Sequence, residues 1–178
     1  HDDYPEIAVG RLSVANSNDV TTIINKIFAY EREPAQDWAI GRALIVSHWA
    51  GFWETNKAII DDMLHPNDFY CYDAYGGVGF WTNDNLKECI ENNGPEHYGV
   101  SIVNYYGHGQ PNEWDDWNRS ENFTTSDVHD LTNTNHYPIV YNCCCLNGAI
   151  QEESEVTVEA GTRDSNGGGV GALGASHE

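Results

Sequence analysis

Short apolar runs of strand length alternate with segments of helical periodicity, and this alternation restricts the chain more than any other feature. Residues 43–47, 69–72, 100–106, 138–142 and 170–173 read as strands, the last behind a glycine run. Ile7 to Arg11, with Leu12 and Val14, reads as a further short strand. Between the runs, Val20, Ile23, Ile24, Ile27 and Phe28 recur at helical spacing behind Asn16-Ser17-Asn18-Asp19, which supplies capping groups. Thr55 opens a second helical pattern with Ile59, Ile60, Met63 and Leu64, and Thr82 caps a third carrying Leu86 and Ile90. Residues 126–131 form a short fourth. Strands alternating with helices predict an α/β fold, a mainly parallel sheet with helices on both faces. With 178 residues, no internal repeat and no long linker, a single domain over 1–178 is expected.

Charge narrows the partners. Eight basic against 28 acidic residues leave a net charge of −20. Nucleic-acid binding needs clustered Lys and Arg to meet phosphates, so it is excluded as a working reading. No run reaches the roughly 18 apolar residues of a membrane span. The acidic excess suits cationic substrates, divalent cations or a salty extracellular setting, as well as plain solubility.

Chemistry gathers at two strand ends. Residues 100–106 run into Gly107-His108-Gly109, and 138–142 run into Cys143-Cys144-Cys145-Leu146-Asn147-Gly148. Open α/β sheets place their sites at the carboxyl edge of the strands. If the two strands are neighbours, a histidine and a cysteine face each other there. A thiolate attacks carbonyl carbon while an imidazole handles the proton, so such a pair is a nucleophile. A turn histidine satisfied by backbone and a buried run of small thiols would explain the same residues without catalysis. Strand alternation puts Cys143 and Cys145 on one face and Cys144 on the other. No paired metal-ligand spacing exists among the cysteines, and Cys71 and Cys89 are free to pair without any requirement to do so.

Val103-Asn104-Tyr105-Tyr106-Gly107-His108-Gly109, followed by Trp114, resembles the histidine motif of gingipain-type cysteine peptidases. Cys145-Leu146-Asn147-Gly148 resembles their nucleophile motif. Tyr4-Pro5-Glu6-Ile7-Ala8-Val9-Gly10-Arg11-Leu12 and Ile27-Phe28-Ala29-Tyr30-Glu31 match in order and separation, so the resemblance spans most of the chain. It implies a caspase-like three-layer sandwich and a secreted or cell-surface bacterial or archaeal endopeptidase acting on peptides or proteins. Cys145 becomes the nucleophile and His108 the general acid and base, with the amides of Gly109 and Cys145 as oxyanion donors.

The family's third catalytic acid falls near His48 to Glu54, where Glu54 is the only carboxylate. Glu54 is therefore the candidate for orienting His108 or for reading a basic substrate side chain. A surface glutamate in a helix first turn accounts for it equally, and the flanking Phe52 and Trp53 suit an apolar pocket instead. The resemblance also implies structural calcium, through Asp2, the Tyr4 carbonyl and Glu6, and through the Ile150 carbonyl and Glu159. Related enzymes continue upstream and downstream of the matched region. The chain reads as a processed fragment, a partial chain or a minimal relative, with other fragments of one precursor as partners. The competing class is a non-catalytic extracellular binding or assembly module that uses Tyr105, Tyr106, Trp114 and Trp117 as contact residues.

Overall fold

The computed structural model describes residues 10–32, 41–91, 99–119 and 121–177. Five apolar runs pair as β1 (Arg42–Ser47), β2 (Tyr70–Tyr75), β3 (Ile102–Tyr106), β7 (Ile139–Cys143) and β8 (Gly171–Gly174). Their spatial order is β2-β1-β3-β7-β8, and every neighbouring pair is parallel. Residues 43–47 of β1 are buried on both faces, which is why that run shows no polar alternation.

Helices cover both faces, as the alternation predicts. On one side α3 (Asn83–Glu91), α4 (Thr125–His129) and α5 (Thr157–Arg163) contribute Leu86, Cys89, Ile90, Val128 and Ala160 to the larger core, over Leu44, Val46, Val103 and Tyr105. On the other, α2 (Trp53–Ile59) continues into a wide turn over Ile60–Leu64 that packs Ile60 and Leu64 against Ala43, Ile45 and Ile102. Cys71 belongs to this second cluster and Cys89 to the first, so the sheet separates them and no disulfide joins them. Burial pushes their thiols up, to about 11 and about 12.

Three sequence expectations change. Residues 7–9 of the expected first strand lie outside the described residues, and Gly10 to Val14 are irregular. Helix α5 was hidden because seven residues, with Gly161 inside, carry too little periodicity to stand out. Residues 109–124, where the sequence predicts no strand, hold a small antiparallel sheet of β4 (Gly109–Gln110), β5 (Glu113–Trp114) and β6 (Phe123–Thr124).

Helix α1 (Ser17–Arg32) begins where the polar cluster predicts, with Asn16 Oδ1 accepting from the Asn18 and Asp19 amides at 2.8 and 3.2 Å. Its Lys26 is buried, and Nζ donates to the carbonyls of Gly161 (2.8 Å) and Gly167 (2.6 Å) beside the Tyr137 ring. This one side chain ties α1 to α5 and to the glycine run before β8. Burial lowers its pKa to about 8, although Asp164 pulls the other way. Lys26→Met should leave both carbonyls without a donor and cost about 1–3 kcal/mol, read as a lower urea midpoint at unchanged slope. The native state binds fewer protons than the unfolded chain between the folded value of about 8 and the ordinary 10.5. The stability gap between wild type and variant should therefore widen as pH rises through that window. Equal midpoints would remove Lys26 from the fold's supports.

Candidate active site

Strands β3 and β7 are neighbours, in register from Ile102 opposite Ile139 to Tyr106 opposite Cys143. Strand β1 ends at the same level, with Ser47 opposite Tyr106. Three chain segments therefore leave one edge side by side: His48 after β1, Gly107-His108-Gly109 after β3, and Cys144 to Gly148 after β7.

Close backbone approach explains the glycines around His108. A Cβ on Gly107 would fall 2.4 Å from His48 Cβ and from the Tyr105 hydroxyl. On Gly109 it would fall 2.7 Å from Cys144 Sγ and 2.8 Å from the Cys145 carbonyl. Neither position tolerates a side chain. The Gly107 amide donates to the Cys143 carbonyl (3.3 Å), joining the two strand ends.

The histidine loop rests on an aromatic stack. The His108 carbonyl accepts from the Tyr105 hydroxyl (2.7 Å) and from the Asp115 amide (3.1 Å). Tyr105 stacks on Trp114 at 4.4 Å, and Trp114 on Phe123 at 4.7 Å, while Trp114 Nε1 donates to Asn142 Oδ1 at 2.7 Å. Because Asp115 donates to His108, the next pair, Gly109 with Trp114, is the non-hydrogen-bonded one. The Gly109 amide is thus left unspent by the ladder, as an oxyanion donor requires.

The cysteines take three different environments. Strand β7 ends at Cys143, so strand alternation does not carry on to Cys145 as expected. Cys143 Sγ lies 3.9 Å from Asn104 Oδ1, and burial raises its thiol. Cys144 is buried, donates to Asn147 Oδ1 at 3.0 Å and has its thiol pushed far up by burial. Cys145 is half-buried and opens a tight turn: its carbonyl accepts from the Asn147 amide at 2.8 Å across Leu146, whose φ is 61°. A leucine in that left-handed region stores about 1–3 kcal/mol of strain, which the surroundings must hold. Asn147 supplies the hold. It is fully buried, and its Nδ2 donates to the carbonyls of Glu113 (3.0 Å) and Gln110.

The His108 side chain is exposed, and the rings of His48 (centroids 4.8 Å apart) and Phe52 (5.2 Å) meet it edge to face. Glu54 sits exposed in the first turn of α2 and makes no hydrogen bond or ion pair with His108 among the described residues. The place that sequence reading gave to Glu54 as orienting partner is filled by His48 and Phe52.

Other expected site residues divide. Asp2, Tyr4 and Glu6 lie outside the described residues. Ile150 and Glu159 line one groove with Gly10 to Ser13. Glu159 is buried and committed: it accepts from Arg163 Nη2 (2.7 Å), from the Ser13 hydroxyl and from the Val156 amide (3.3 Å). With Arg163 neutralising it and each oxygen bonded, this carboxylate does not fit a calcium ligand. No cluster of three or more metal-ligating side chains occurs among the described residues. Tyr105, Trp114 and Trp117 are 0%, 2% and 0% exposed, so they are core and present no contact surface for a binding module.

The sequence motifs gave no role to Asn147, offered Tyr105 only as a contact residue of a binding module, and in the stretch from His48 to Glu54 pointed to Glu54 rather than His48. The signal for His48 was available: it follows a strand into the same edge, just as His108 does.

Comparison with known proteins agrees with this architecture. The model for Peptidase family C25 matches residues 1–178. Gingipain R2 of Porphyromonas gingivalis is 30% identical over 162 residues, 83% of this chain and 20% of that protein. Lys-gingipain HG66 of the same organism is 24% identical over 186 residues, 98% of this chain and 10% of that protein. The chain thus spans about a fifth or less of these relatives. Among solved structures, the Arg-specific cysteine proteinase gingipain R superposes with a TM-score of 0.79 at 26% identity, over 95% of this chain and 40% of that one. The RgpB pro- and mature-domain complex from P. gingivalis shares the fold, with a TM-score of 0.80 at 24% identity over 98% of this chain and 42% of that one. The sheet, the paired strand ends and the full-length family match lead to one assignment: this chain belongs to Peptidase family C25.

Proposed function

We propose that the chain carries the catalytic core of a cysteine endopeptidase that hydrolyses peptide bonds with Cys145 and His108. The observation that carries this reading is the parallel pairing of β3 and β7, whose ends lead into those two residues. Cys145 Sγ attacks the peptide carbonyl carbon as His108 takes the thiol proton. The tetrahedral oxyanion is held by the Gly109 and Cys145 amides, donors typically worth roughly 2.7–4 kcal/mol each. His108 then gives its proton to the departing amine and leaves a thioester. Water, deprotonated by His108, cleaves the thioester and restores the thiol.

Cleavage after basic residues is the finer part of the proposal. The charge of −20 attracts cationic peptides, although salt screens it beyond roughly 8 Å. Glu54, exposed two residues after Phe52, whose ring meets His108, is the carboxylate proposed to receive an arginine or lysine side chain. The names of two relatives, Arg-specific proteinase and Lys-gingipain, point the same way. A secreted or cell-surface setting is carried over from the family resemblance. Other fragments of one precursor are proposed partners, in line with the solved complex of RgpB pro- and mature domains. Structural calcium is proposed at Asp2, Tyr4 and Glu6.

Three outcomes are expected. Cys145→Ala and His108→Ala should each reduce hydrolysis of a peptide library by at least ~10³-fold, while Cys143→Ala keeps it. Near-normal turnover in Cys145→Ala would sink the assignment. In the library, arginine or lysine should dominate before the scissile bond, and Glu54→Gln should weaken that preference. A preference for leucine or phenylalanine, insensitive to salt, would reject the acidic pocket. Chelation should lower the thermal midpoint, and less so in Glu6→Ala; at a hundredfold excess over its dissociation constant the ion contributes roughly 2.7 kcal/mol. Identical midpoints with calcium and with chelator would discard the ion.

A further inference from the structure

A general base works only if its ring is held in one orientation, and catalytic histidines usually take that hold from a second group. Here the groups against the His108 ring are His48 and Phe52, and no carboxylate among the described residues is bonded to it. His48 is the better fixed of the two. It is 3% exposed, its amide donates to the Tyr106 carbonyl (3.1 Å), and its Cβ lies against Gly107. Its ring is packed between Trp49 (5.7 Å, 26°) and Phe52 (5.6 Å, 82°). Its Nδ1 accepts from the Ala50 amide at 3.0 Å, which puts the proton of the neutral ring on Nε2.

We propose that His48 is a positioning residue for His108: a neutral imidazole, locked at Nδ1 by the Ala50 amide, holds the His108 ring through its perpendicular contact. The inference rests on the Cys145–His108 reading above and deepens it, because it replaces the expected carboxylate with a second histidine. Burial lowers the His48 pKa, and so does the neighbouring His108. Asp116 and Asp115 pull it upward, less strongly. Arg119 lies over the Trp49 ring at 5.7 Å, and Glu54 stands in the first turn of α2, the helix that follows His48. Protonation of His48 would turn Nδ1 into a donor facing the Ala50 donor and set a cation beside His108. The hold is therefore present when His48 is neutral and fails as pH falls. Sequence supports the same placement, since His48 is the first residue after β1 and His108 the second after β3.

The test uses the intact protein and two readouts: peptide hydrolysis, and the rate of iodoacetamide alkylation mapped to Cys145. The second needs no knowledge of the substrate. His48→Ala should lower kcat by ~10²-fold with KM within about threefold, the scale of a catalytic group misplaced by about an ångström. His48→Phe keeps a ring against His108 and cannot titrate. It should recover at least tenfold over alanine and move the acid limb of the Cys145 alkylation profile to lower pH. Equal thermal midpoints of the two variants would show that the rescue is not one of folding; if alanine fails to fold, phenylalanine against wild type supplies the comparison. His48→Ala within twofold of wild type, phenylalanine no better than a folded alanine variant, or an unmoved acid limb would each overturn the inference. Cys145→Ala and His108→Ala run beside them separate the failures. If those two are inactive while His48→Ala is normal, only the role of His48 is lost. If they stay active, the peptidase reading falls and this inference with it.

Discussion

The parallel pairing of β3 and β7 is the constraint on which the rest depends. Parallel strands start and stop in the same sense, so two adjacent strands deliver whatever follows them to one edge. Tyr106 opposite Cys143 sets that level, and Ser47 opposite Tyr106 extends it to β1. Hydrophobic burial pays for the sheet: Leu44, Val46, Val103 and Tyr105 on one face, Ala43, Ile45 and Ile60 on the other, are all within 2% of full burial. A slip of one residue would exchange the faces of β3 and move Tyr105 away from the His108 carbonyl it supports.

Beyond the strand ends, buried amides and a hydroxyl take over from the ladder. Asn147 joins the turn after β7 to the β4–β5 hairpin, and Asn56 joins α2 to β1 and β3 through the Val46 carbonyl (2.8 Å), the Ser47 hydroxyl (2.7 Å) and Asn104 (3.0 Å). Asn142 receives Trp114. An unpaired carbonyl in such an interior is expensive, so each of these side chains has a defined orientation. That rigidity is what lets Leu146 stay in a left-handed conformation and keeps Cys144 bonded and buried, while Cys145 is left half-exposed.

The strands and most helices were legible because their signals are local. Runs of β-branched and aromatic residues, Asn16 as a cap and Thr82 before α3 work over a few residues. The antiparallel sheet of β4 to β6 was not legible: its strands are two residues long, and contacts from elsewhere in the chain support them, with Trp114 stacked on Tyr105, Phe123 on Trp114, and Asn147 bonded to the Gln110 and Glu113 carbonyls. The same contacts explain why aromatics in a polar stretch proved to be core. Helix α5, short and containing a glycine, is held by its packing on α4 and β8 and by Lys26 at Gly161.

By itself the sequence determined the order of the five parallel strands and of helices α1 to α4, the α/β class and the two segments that carry a histidine and a cysteine, since each follows from neighbours in the chain. Tertiary structure decided what surrounds them. The separate surroundings of the three adjacent thiols, Cys143 exposed, Cys144 buried and Cys145 half-buried, depend on where β7 stops and on Asn147 reaching two carbonyls from another hairpin. Which side chain meets the His108 ring depends on β1 lying beside β3, and this brings in His48 and leaves Glu54 exposed on α2. Which carboxylate is open to a cation depends on Arg163, one helical turn along, having already claimed Glu159. Each of these is settled by contacts between residues far apart in the chain, and local periodicity carries no information about them.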